Sequence, residues 1–324
     1  MAYANIIYQN TSGFNGIKEY SRKLFTGLRG SGMDVELVPV KRFEIKINGK
    51  QYGGWQSMKL LSYVYAYHGD ITHATDDWCI NRHTNVVTVH DLYPYKNKDT
   101  LANASRKQYG KMLNLLSKSG IKTVVQSNVV KEDVLTFNKD ADITVIPSAV
   151  PKYKGTLINP YPKDTKIHLV TMGALGNTRK RIKDLYDFVK DNPDLTLYHI
   201  GHIDVPEYKD YAKNIIQLGQ VNEQTKYSYL SYADKFVYYT NDEGQGYPTM
   251  EAMRCNTQPI INDIPIHREL LGDLPYYFHN KEEFLEMVYK PDKPGLERQI
   301  SRYDNWINKY IHVYEEIVQK GGLK

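Results

Sequence analysis

The chain has few cysteines and no long apolar segment. Its two cysteines, Cys79 and Cys255, stand far apart among 324 residues, so there is no disulfide framework and we expect a reduced, cytoplasmic setting. No run approaches the ~18 consecutive apolar residues that a membrane-spanning helix requires. The first residues, MAYANIIYQN, predict a short strand instead of the apolar core of a secretion signal. Any membrane contact is therefore expected to be peripheral.

The chain also lacks a strong excess of either charge. It has 42 Lys and Arg against 37 Asp and Glu, a net charge of +5 that suits an anionic ligand. Basic and aromatic residues are not interleaved in the concentrated way typical of a dedicated nucleic-acid module, so nucleic acid is not the expected partner. Hydrophobic residues make up 41% and charged residues 24%, which indicates a globular protein, and the length fits two domains.

Short apolar strands alternate with amphipathic helical segments in both halves of the chain, which predicts parallel sheets with helices on both faces. In the first half we expect strands near 5–8, 35–38, 71–73, 86–89, 123–125 and 143–146, and helices over 17–28, 57–67, 104–116 and 129–137. Residues 147–162 hold four prolines without clear periodicity and predict a linker. A second alternating unit starts at residue 167, and residues 301–320 predict an amphipathic helix.

The most informative stretch is EGQGYPTME, from Glu243 to Glu251. It follows the apolar strand KFVYY and runs into the helix-forming segment MEAMR. A strand, a glycine-rich turn and a proline at a helix start place backbone N–H groups and the positive helix end beside two carboxylates. Such a junction can bind a diphosphate through its amides while the carboxylates accept hydrogen bonds from sugar hydroxyls. Glycine and proline also form ordinary turns, and acids favour helix N-termini, so the spacing alone leaves both interpretations open.

Residues 197–273 resemble the donor-binding half of family 4 retaining glycosyltransferases, also called glycosyl transferases group 1. The family's Glu-x7-Glu motif, usually EGFGLPxLEAM, reads EGQGYPTMEAM here. Its later strand with an Arg-Glu pair appears as PIINDIPIHREL, and its upstream segment as LGQVNEQTKYSYLSYADKFV. The first half is similar more weakly, through Gly16-Ile17, His90-Asp91 and the segment SNVVKEDV.

This resemblance implies an α/β protein of the GT-B fold, with two Rossmann-like, doubly wound domains facing each other across a cleft. We expect an acceptor-side domain over 1–160, a donor-binding domain over 161–297 and, over 298–324, a C-terminal helix that returns to the first domain. The implied enzyme is a retaining glycosyltransferase of the hexosyltransferase type. It would move a sugar from a nucleoside-diphosphate sugar to a hydroxyl of a glycan, lipid-linked or other acceptor, with no cofactor and no metal. The alternatives are a DNA-modifying glycosyltransferase, a GT-B phosphorylase and a non-catalytic nucleotide or nucleic-acid binder.

The resemblance also assigns roles in the donor half. Glu243 would contact the transferred sugar as a catalytic residue without attacking it covalently, and Glu251 would bind the ribose hydroxyls. Val221 would lie near the base. The diphosphate would be bound by a basic pair and by the turn at the helix start, which are Arg179, Lys180, Gly244, Gly246, Tyr247, Pro248 and Thr249.

In the acceptor half, His90 and Asp91 stand at the end of a strand in VVTVHDLYP. The resemblance implies that His90 is a second catalytic residue, which would bind the donor sugar or orient the acceptor. Gly13 and Gly16 flank the first loop between a strand and a helix, where the family keeps two adjacent glycines and this chain keeps one. The segment HATDD, near His83, fits no standard zinc spacing, so no metal site is expected.

Overall fold

The computed structural model describes residues 3–10, 16–40, 43–48, 50–54, 69–97, 110, 114, 116 and 120–321. The predicted helix 57–67 and most of the predicted helix 104–116 lie outside these residues, as does Gly13. The chain divides into two compact units, one formed by Met1–Ser148 with Asn305–Lys324, the other by Ala149–Asp304. In the part of the chain that the structure describes, no helix combines the length and the apolar character needed to cross a bilayer.

The first unit is built on a parallel sheet. The strands in the described part of this unit are β1 Tyr3–Gln9, β2 Asp34–Val40, β3 Phe43–Ile47, β4 Lys50–Gly54, β5 Ile71–Ala74, β6 Val86–Val89, β7 Lys122–Val125 and β8 Asp142–Val145. Six of them pair in parallel in the order β2-β1-β5-β6-β7-β8, while β3 and β4 form a separate antiparallel hairpin. The six strands predicted from apolar runs are confirmed, whereas the hairpin was not predicted.

Helices of the first unit connect these strands. Among its described residues these are α1 Gly16–Gly30, α2 Tyr93–Lys96 and α3 Asn128–Leu135, with a short 3-10 turn at Asp77–Cys79. Every residue of β5 and β6 is buried, as expected for central strands of a sheet that is covered on both faces.

The second unit has a second parallel sheet. Its strands are β9 Ile167–Met172, β10 Leu195–Ile200, β11 Ile215–Gly219, β12 Lys235–Tyr238, β13 Pro259–Asn262 and β14 Tyr276–Phe278. Its helices are α4 Ile182–Val189, α5 Glu223–Tyr232, α6 Tyr247–Arg254, α7 Pro265–Leu271, α8 Lys281–Val288 and α9 Leu296–Ser301. Short 3-10 turns lie at Thr178–Lys180 and Pro206–Tyr208.

The strand order of this second sheet is β11-β10-β9-β12-β13-β14, all parallel. Counted from β9, this is the order 3-2-1-4-5-6 of the Rossmann fold, so the predicted doubly wound architecture is confirmed. The order reverses between β9 and β12, which are neighbours in the sheet although the chain leaves them in opposite directions. In open α/β sheets, ligands bind at the carboxyl ends of the strands at such a switch point.

The core of the second unit lies between the sheet and two of its helices. Leu185 and Val189 of α4 pack with Val237 of β12, Phe278 of β14 and Phe284 of α8, and all five are fully buried. Because these apolar residues fix the sheet from one side, the polar loops at the strand ends are held on a rigid base.

Residues 149–162 were predicted to be a linker, and they contain no regular helix or strand. They nevertheless lie on the second unit: the Ile158 N–H donates to Ser228 Oγ (3.1 Å), and the Tyr161 hydroxyl donates to the Tyr229 carbonyl (2.7 Å). The division between the units therefore falls after Ser148, twelve residues before the boundary expected from the prolines.

The C-terminal region consists of two helices, where one helix over 301–320 was predicted. Helix α9 ends at Ser301 within the second unit, and α10 Trp306–Gly321 belongs to the first. The prediction of a continuous helix is wrong because Arg254 of α6 binds the turn between them. Its guanidinium donates to Ser301 Oγ (2.8 Å) and pairs with the Asp304 carboxylate.

Helix α10 packs on the first unit through buried tyrosines. The Tyr310 hydroxyl is hydrogen-bonded to that of Tyr20, and the Tyr314 hydroxyl lies 2.7 Å from His73 Nδ1. His73 Nε2 lies 2.8 Å from Thr88 Oγ1. The expected return of the last helix to the first unit is therefore observed, with α10 beginning at Trp306.

Candidate active site

The loops that follow β9, β12 and β13 are joined at the switch point of the second sheet. The carbonyl of Arg179, after β9, accepts from the Asn241 N–H (2.8 Å) and from Thr240 Oγ1 (3.2 Å), after β12. Asn262, the last residue of β13, binds the Thr240 backbone twice, through Oδ1 to the N–H (3.1 Å) and through Nδ2 to the carbonyl (2.8 Å). Main-chain groups therefore set the spacing of the side chains that these loops carry.

Three side chains form a closed triangle at this point. Lys180 Nζ donates to the Tyr238 hydroxyl (2.7 Å) and to Glu243 Oε1, and the Tyr238 hydroxyl donates to the same Oε1 (2.6 Å). The Glu243 side chain is 7% exposed and that of Lys180 14% exposed, so this ion pair is largely withdrawn from water. The structure thus brings the predicted residues Lys180 and Glu243 together, with Tyr238 as a third member.

The electrostatics of this triangle favour an ionised Glu243. Burial opposes the charge, but the charges of Lys180 and Arg179, with hydrogen bonds from Lys180 and Tyr238, outweigh it and lower the pKa of Glu243 to about 2. Burial, reinforced by the Glu243 carboxylate, raises the pKa of Tyr238 well above its ordinary value. At neutral pH the site therefore holds a carboxylate that accepts hydrogen bonds and a phenol that keeps its proton.

The start of α6 lies next to this triangle in the chain. Gly246 precedes the helix with φ of 75°, a left-handed conformation that favours glycine, and Pro248 occupies the first turn. No side chain caps this helix start. Thr249 Oγ1 is buried and has no hydrogen-bond partner among the described residues. The positive end of the helix and this hydroxyl together suit an anion.

His267 lies beneath the same turn. It is fully buried, and its Nδ1–H donates to the Asn262 carbonyl (2.9 Å). Burial lowers its pKa, so the ring is neutral at physiological pH with Nε2 as an acceptor. A Cβ added at Gly246 would lie 3.6 Å from His267 Nε2, which has no partner within the described part of the chain. This imidazole therefore packs directly against the glycine turn.

Glu251, the second carboxylate of the motif, is also buried and paired. Its Oε1 accepts from Lys226 Nζ (2.8 Å) and from the Tyr227 hydroxyl (3.2 Å), both on α5. Burial, followed by the charge of Glu251, raises the pKa of Tyr227, so this hydroxyl stays a donor. Tyr153 stacks on the Tyr227 ring at 4.7 Å between centroids. Both recorded bonds use Oε1, so the position of the carboxylate is set by α5.

The structure places the other predicted residues less directly. Val221 follows β11, the edge strand of the second sheet, and is half-buried. Gly16 is the first residue of α1. His90 and Asp91 follow β6 and belong to the first unit, whereas the predicted donor residues belong to the second unit.

Both ring nitrogens of His90 are engaged within the first unit. Nε2 lies 2.9 Å from the Thr75 carbonyl and Nδ1 lies 3.2 Å from Gln126 Oε1. Asp91 accepts from the Tyr93 N–H (3.0 Å) and so stabilises the start of α2. The contacts of His90 and Asp91 with neighbouring loops therefore stabilise the first unit.

Sequence reasoning missed Tyr238, Lys226 and Tyr227. Tyr238 is the last residue of an apolar strand, so its sequence context predicts a core residue. Its hydroxyl is the group that contacts Glu243. Lys226 lies inside a helix, is 8% exposed and is paired with Glu251, and neither its burial nor its partner is visible in the sequence.

Comparison with known proteins finds similarity over the segment that carries this site. Residues 154–282 match the family described as glycosyl transferases group 1. This range includes the loops after β9, β12 and β13 and the carboxylates of Glu243 and Glu251. The O-antigen chain mannosyltransferase RfbU of Salmonella typhimurium is 28% identical over 254 residues, which span 72% of this chain and 69% of the relative.

Solved structures share the fold over nearly the whole chain. Sucrose-phosphate synthase from Thermosynechococcus elongatus aligns with a TM-score of 0.70 at 15% identity, covering 98% of this chain and 97% of that one. HepE from Anabaena, solved in complex with UDP and glucose, aligns at 0.65 and 12% identity, covering 96% and 99%. WaaG, a glycosyltransferase involved in lipopolysaccharide biosynthesis, aligns at 0.68 and 12% identity, covering 98% of each chain. Residues 154–282 are therefore similar to the glycosyl transferases group 1 family, and the chain has the GT-B fold.

Proposed function

We propose that this protein is a glycosyltransferase that moves a sugar from a nucleoside-diphosphate sugar to an acceptor hydroxyl, with retention at the anomeric carbon and without a metal ion. The observation that carries the proposal is the triangle of Lys180, Tyr238 and Glu243 at the switch point of the second sheet, beside the uncapped start of α6. A buried cation, a buried carboxylate and a helix start in one place suit a ligand that combines a diphosphate with hydroxyl groups.

The diphosphate would lie against Lys180, Arg179 and the start of α6. The two cations lie close enough to Glu243 to lower its pKa, so both act on the same small volume. As the bond to the sugar breaks, negative charge grows on the leaving diphosphate, and fixed cations and helix N–H groups stabilise it. The unpartnered Thr249 Oγ1 supports a further hydrogen bond to phosphate from the first turn of the helix. These groups supply the positive charge that a metal ion provides in other transferases, which is why we propose metal independence.

The two carboxylates would bind hydroxyls on either side of the diphosphate. Glu243 is ionised and accepts hydrogen bonds, so we assign it to a hydroxyl of the transferred sugar and to stabilising positive charge at the anomeric carbon. Glu251, fixed by Lys226, is assigned to the ribose. This arrangement does not require Glu243 to form a bond to the sugar.

Names of relatives support a hexose donor and a glycan acceptor. RfbU is an O-antigen chain mannosyltransferase, HepE was solved with UDP and glucose, and WaaG takes part in lipopolysaccharide biosynthesis. We therefore propose a nucleotide-activated hexose as the donor and a cell-surface saccharide, lipid-linked or free, as the acceptor. A cytoplasmic location and a peripheral membrane contact are part of this proposal.

Ligand binding tests the proposal first. The thermal midpoint should rise with UDP, GDP or ADP, because a ligand that binds only the folded state stabilises it by mass action. UDP-glucose and GDP-mannose then serve as donors in a transfer assay with EDTA present, and NMR of the product reads its anomeric configuration. If none of these nucleotides raises the midpoint and neither donor is turned over, the proposed function is wrong.

A matched pair of variants tests the site. Glu243→Gln keeps the shape but removes the charge, and should lower kcat by at least about a hundredfold, the scale of losing one electrostatic stabiliser. Glu286→Gln changes an exposed glutamate of α8 and should leave kcat unaltered. Turnover by Glu243→Gln within twofold of the native rate would remove the carboxylate from the mechanism. An inverted product, or complete dependence on added Mg²⁺, would each overturn that part of the proposal.

A further inference from the structure

Tyr238 contributes a single polar group to the site. It is the last residue of β12 and is fully buried, with its ring 5.9 Å from Phe236 and 6.5 Å from His267. Its hydroxyl accepts from Lys180 Nζ and donates to Glu243 Oε1. One hydroxyl therefore serves both members of the ion pair, and the ring around it is held by the strand and the core.

The ion pair and the proposed ligand compete for the same lysine. In the structure, Lys180 Nζ is bound to Glu243 Oε1. Under the proposed function, Lys180 binds the diphosphate while Glu243 accepts from a sugar hydroxyl. When the lysine turns to the phosphate, the buried carboxylate keeps the charge of Arg179 but loses the larger contribution of Lys180, so burial favours uptake of a proton more strongly. A protonated Glu243 has lost its charge and part of its capacity to accept hydrogen bonds.

We propose that Tyr238 is a positioning residue that keeps Glu243 ionised and oriented while Lys180 exchanges this carboxylate for the diphosphate of the donor. The inference rests on the proposed function and adds a residue to it. The phenol donates to Oε1 whichever partner the lysine takes, so Oε2 stays directed to the sugar. In this scheme Tyr238 touches neither the diphosphate nor the sugar and acts through its hydrogen bond to Glu243.

The exchange predicts a separation of two affinities. The affinity for a free nucleoside diphosphate depends on Lys180, whereas the additional affinity for the attached sugar depends on Glu243. Removing the phenol hydroxyl should therefore weaken binding of the sugar nucleotide and leave the free nucleotide nearly unchanged. A residue that merely supports the loops would weaken both together, because the loops carry both sets of groups.

Calorimetry with UDP and UDP-glucose, and with GDP and GDP-mannose, measures this separation on the whole protein. In Tyr238→Phe, the Kd of the free nucleotide should stay within about twofold. The Kd of the sugar nucleotide should rise about tenfold at pH 7, the size expected from loss of one hydrogen bond to a charged group. The loss should grow between pH 8 and pH 5 in this variant, and should not do so in the native protein. Tyr314→Phe, which removes a buried hydroxyl in the first unit, is the control and should change neither Kd.

A second variant tests the same idea without altering Tyr238. Lys180→Met reproduces the exchanged state, in which the phenol is the remaining hydrogen-bond donor to Glu243 in the triangle. This variant should weaken the binding of free nucleotide and of sugar nucleotide by the same factor, so that the ratio of the two Kd values matches that of the native protein. This measurement decides the matter if Tyr238→Phe fails to fold.

Three outcomes would overturn the inference. The first is a sugar-nucleotide Kd of Tyr238→Phe within twofold of native across pH 5–8. The second is an equal loss of affinity for the free nucleotide and for the sugar nucleotide in that variant. The third is a ratio of these two Kd values in Lys180→Met that differs from the native ratio. Native protein that binds no nucleotide at all would instead overturn the proposed function itself, so the two failures are distinguishable.

Discussion

Replacing Lys180 with methionine should change Glu243 from a stabilising into a destabilising group. Burial opposes ionisation of Glu243, yet the cations and hydrogen bonds lower its pKa from 4.5 to about 2. At about 1.4 kcal/mol per pKa unit, this difference corresponds to roughly 3 kcal/mol of folding free energy. The folded-state pKa lies below the unfolded one, so this contribution is complete above about pH 4.5 and is lost as the pH falls towards 2.

Without the ammonium group, burial of Glu243 is opposed only by the charge of Arg179 and the hydrogen bond from Tyr238. The pKa of the carboxyl should therefore rise, and at pH 7.5 the carboxylate stays charged with less compensation. The variant should therefore lose roughly 3 kcal/mol at pH 7.5, in line with the cost of breaking a buried ion pair by removing one partner. The deficit should shrink at pH 4, because protonation of Glu243 then removes the uncompensated charge.

Urea denaturation followed by circular dichroism measures this deficit at both pH values. Lys290→Met is the matched control: it breaks the exposed pair with Glu286, and should cost no more than about 0.5 kcal/mol. The double variant Lys180→Met with Glu243→Gln should regain most of the loss, since no buried charge remains. A single variant as stable as native at pH 7.5, or a double variant less stable than the single one, would refute the reasoning.

Three further changes probe separate contacts. Glu251→Gln should reduce the preference for UDP over its 2′-deoxy form in calorimetry, and an unchanged preference would argue against a ribose contact. Tyr314→Phe removes the hydroxyl that is hydrogen-bonded to the buried His73 Nδ1, and should therefore lower the free energy of unfolding by about 1–3 kcal/mol. An unchanged free energy of unfolding in urea titration would contradict this. Gly246→Ala puts a side chain at φ of 75°, so about 1–2 kcal/mol of stability and much of the nucleotide affinity should be lost; native affinity by thermal shift would speak against a constrained turn.

Strands and the acidic motif were the parts of this protein most accessible from sequence. Buried parallel strands are short apolar runs bounded by turn residues, as in VVTV of β6, so their positions follow from local composition. The order of glycines and proline between Glu243 and Glu251 likewise predicts a strand, a turn and a helix without reference to distant residues. The structure has β12 ending at Tyr238 and α6 beginning at Tyr247, as this order requires.

Contacts between distant residues were not accessible in this way. Lys180 contacts Tyr238, 58 positions away, and Glu243, 63 positions away. The residues next to Lys180 in the sequence do not indicate either partner. The break between α9 and α10 has the same origin, because Arg254 binds Asp304 across 50 positions while the segment itself keeps a helical pattern. The hairpin β3–β4 was missed for another reason: its strands FEIKI and KQYGG are only partly apolar.

The assignment of α10 to the first unit affects how the two units can be expressed as separate fragments. Because the backbone passes from one unit to the other after Ser148 and back again after Asp304, the first unit is discontinuous in sequence. A fragment ending at Ser148 would lack Tyr310 and Tyr314, and would expose Tyr20 and His73 to solvent. The stretch 149–304, by contrast, is continuous and retains the whole triangle, so it is the natural candidate for a minimal recombinant module that still recognises a nucleotide.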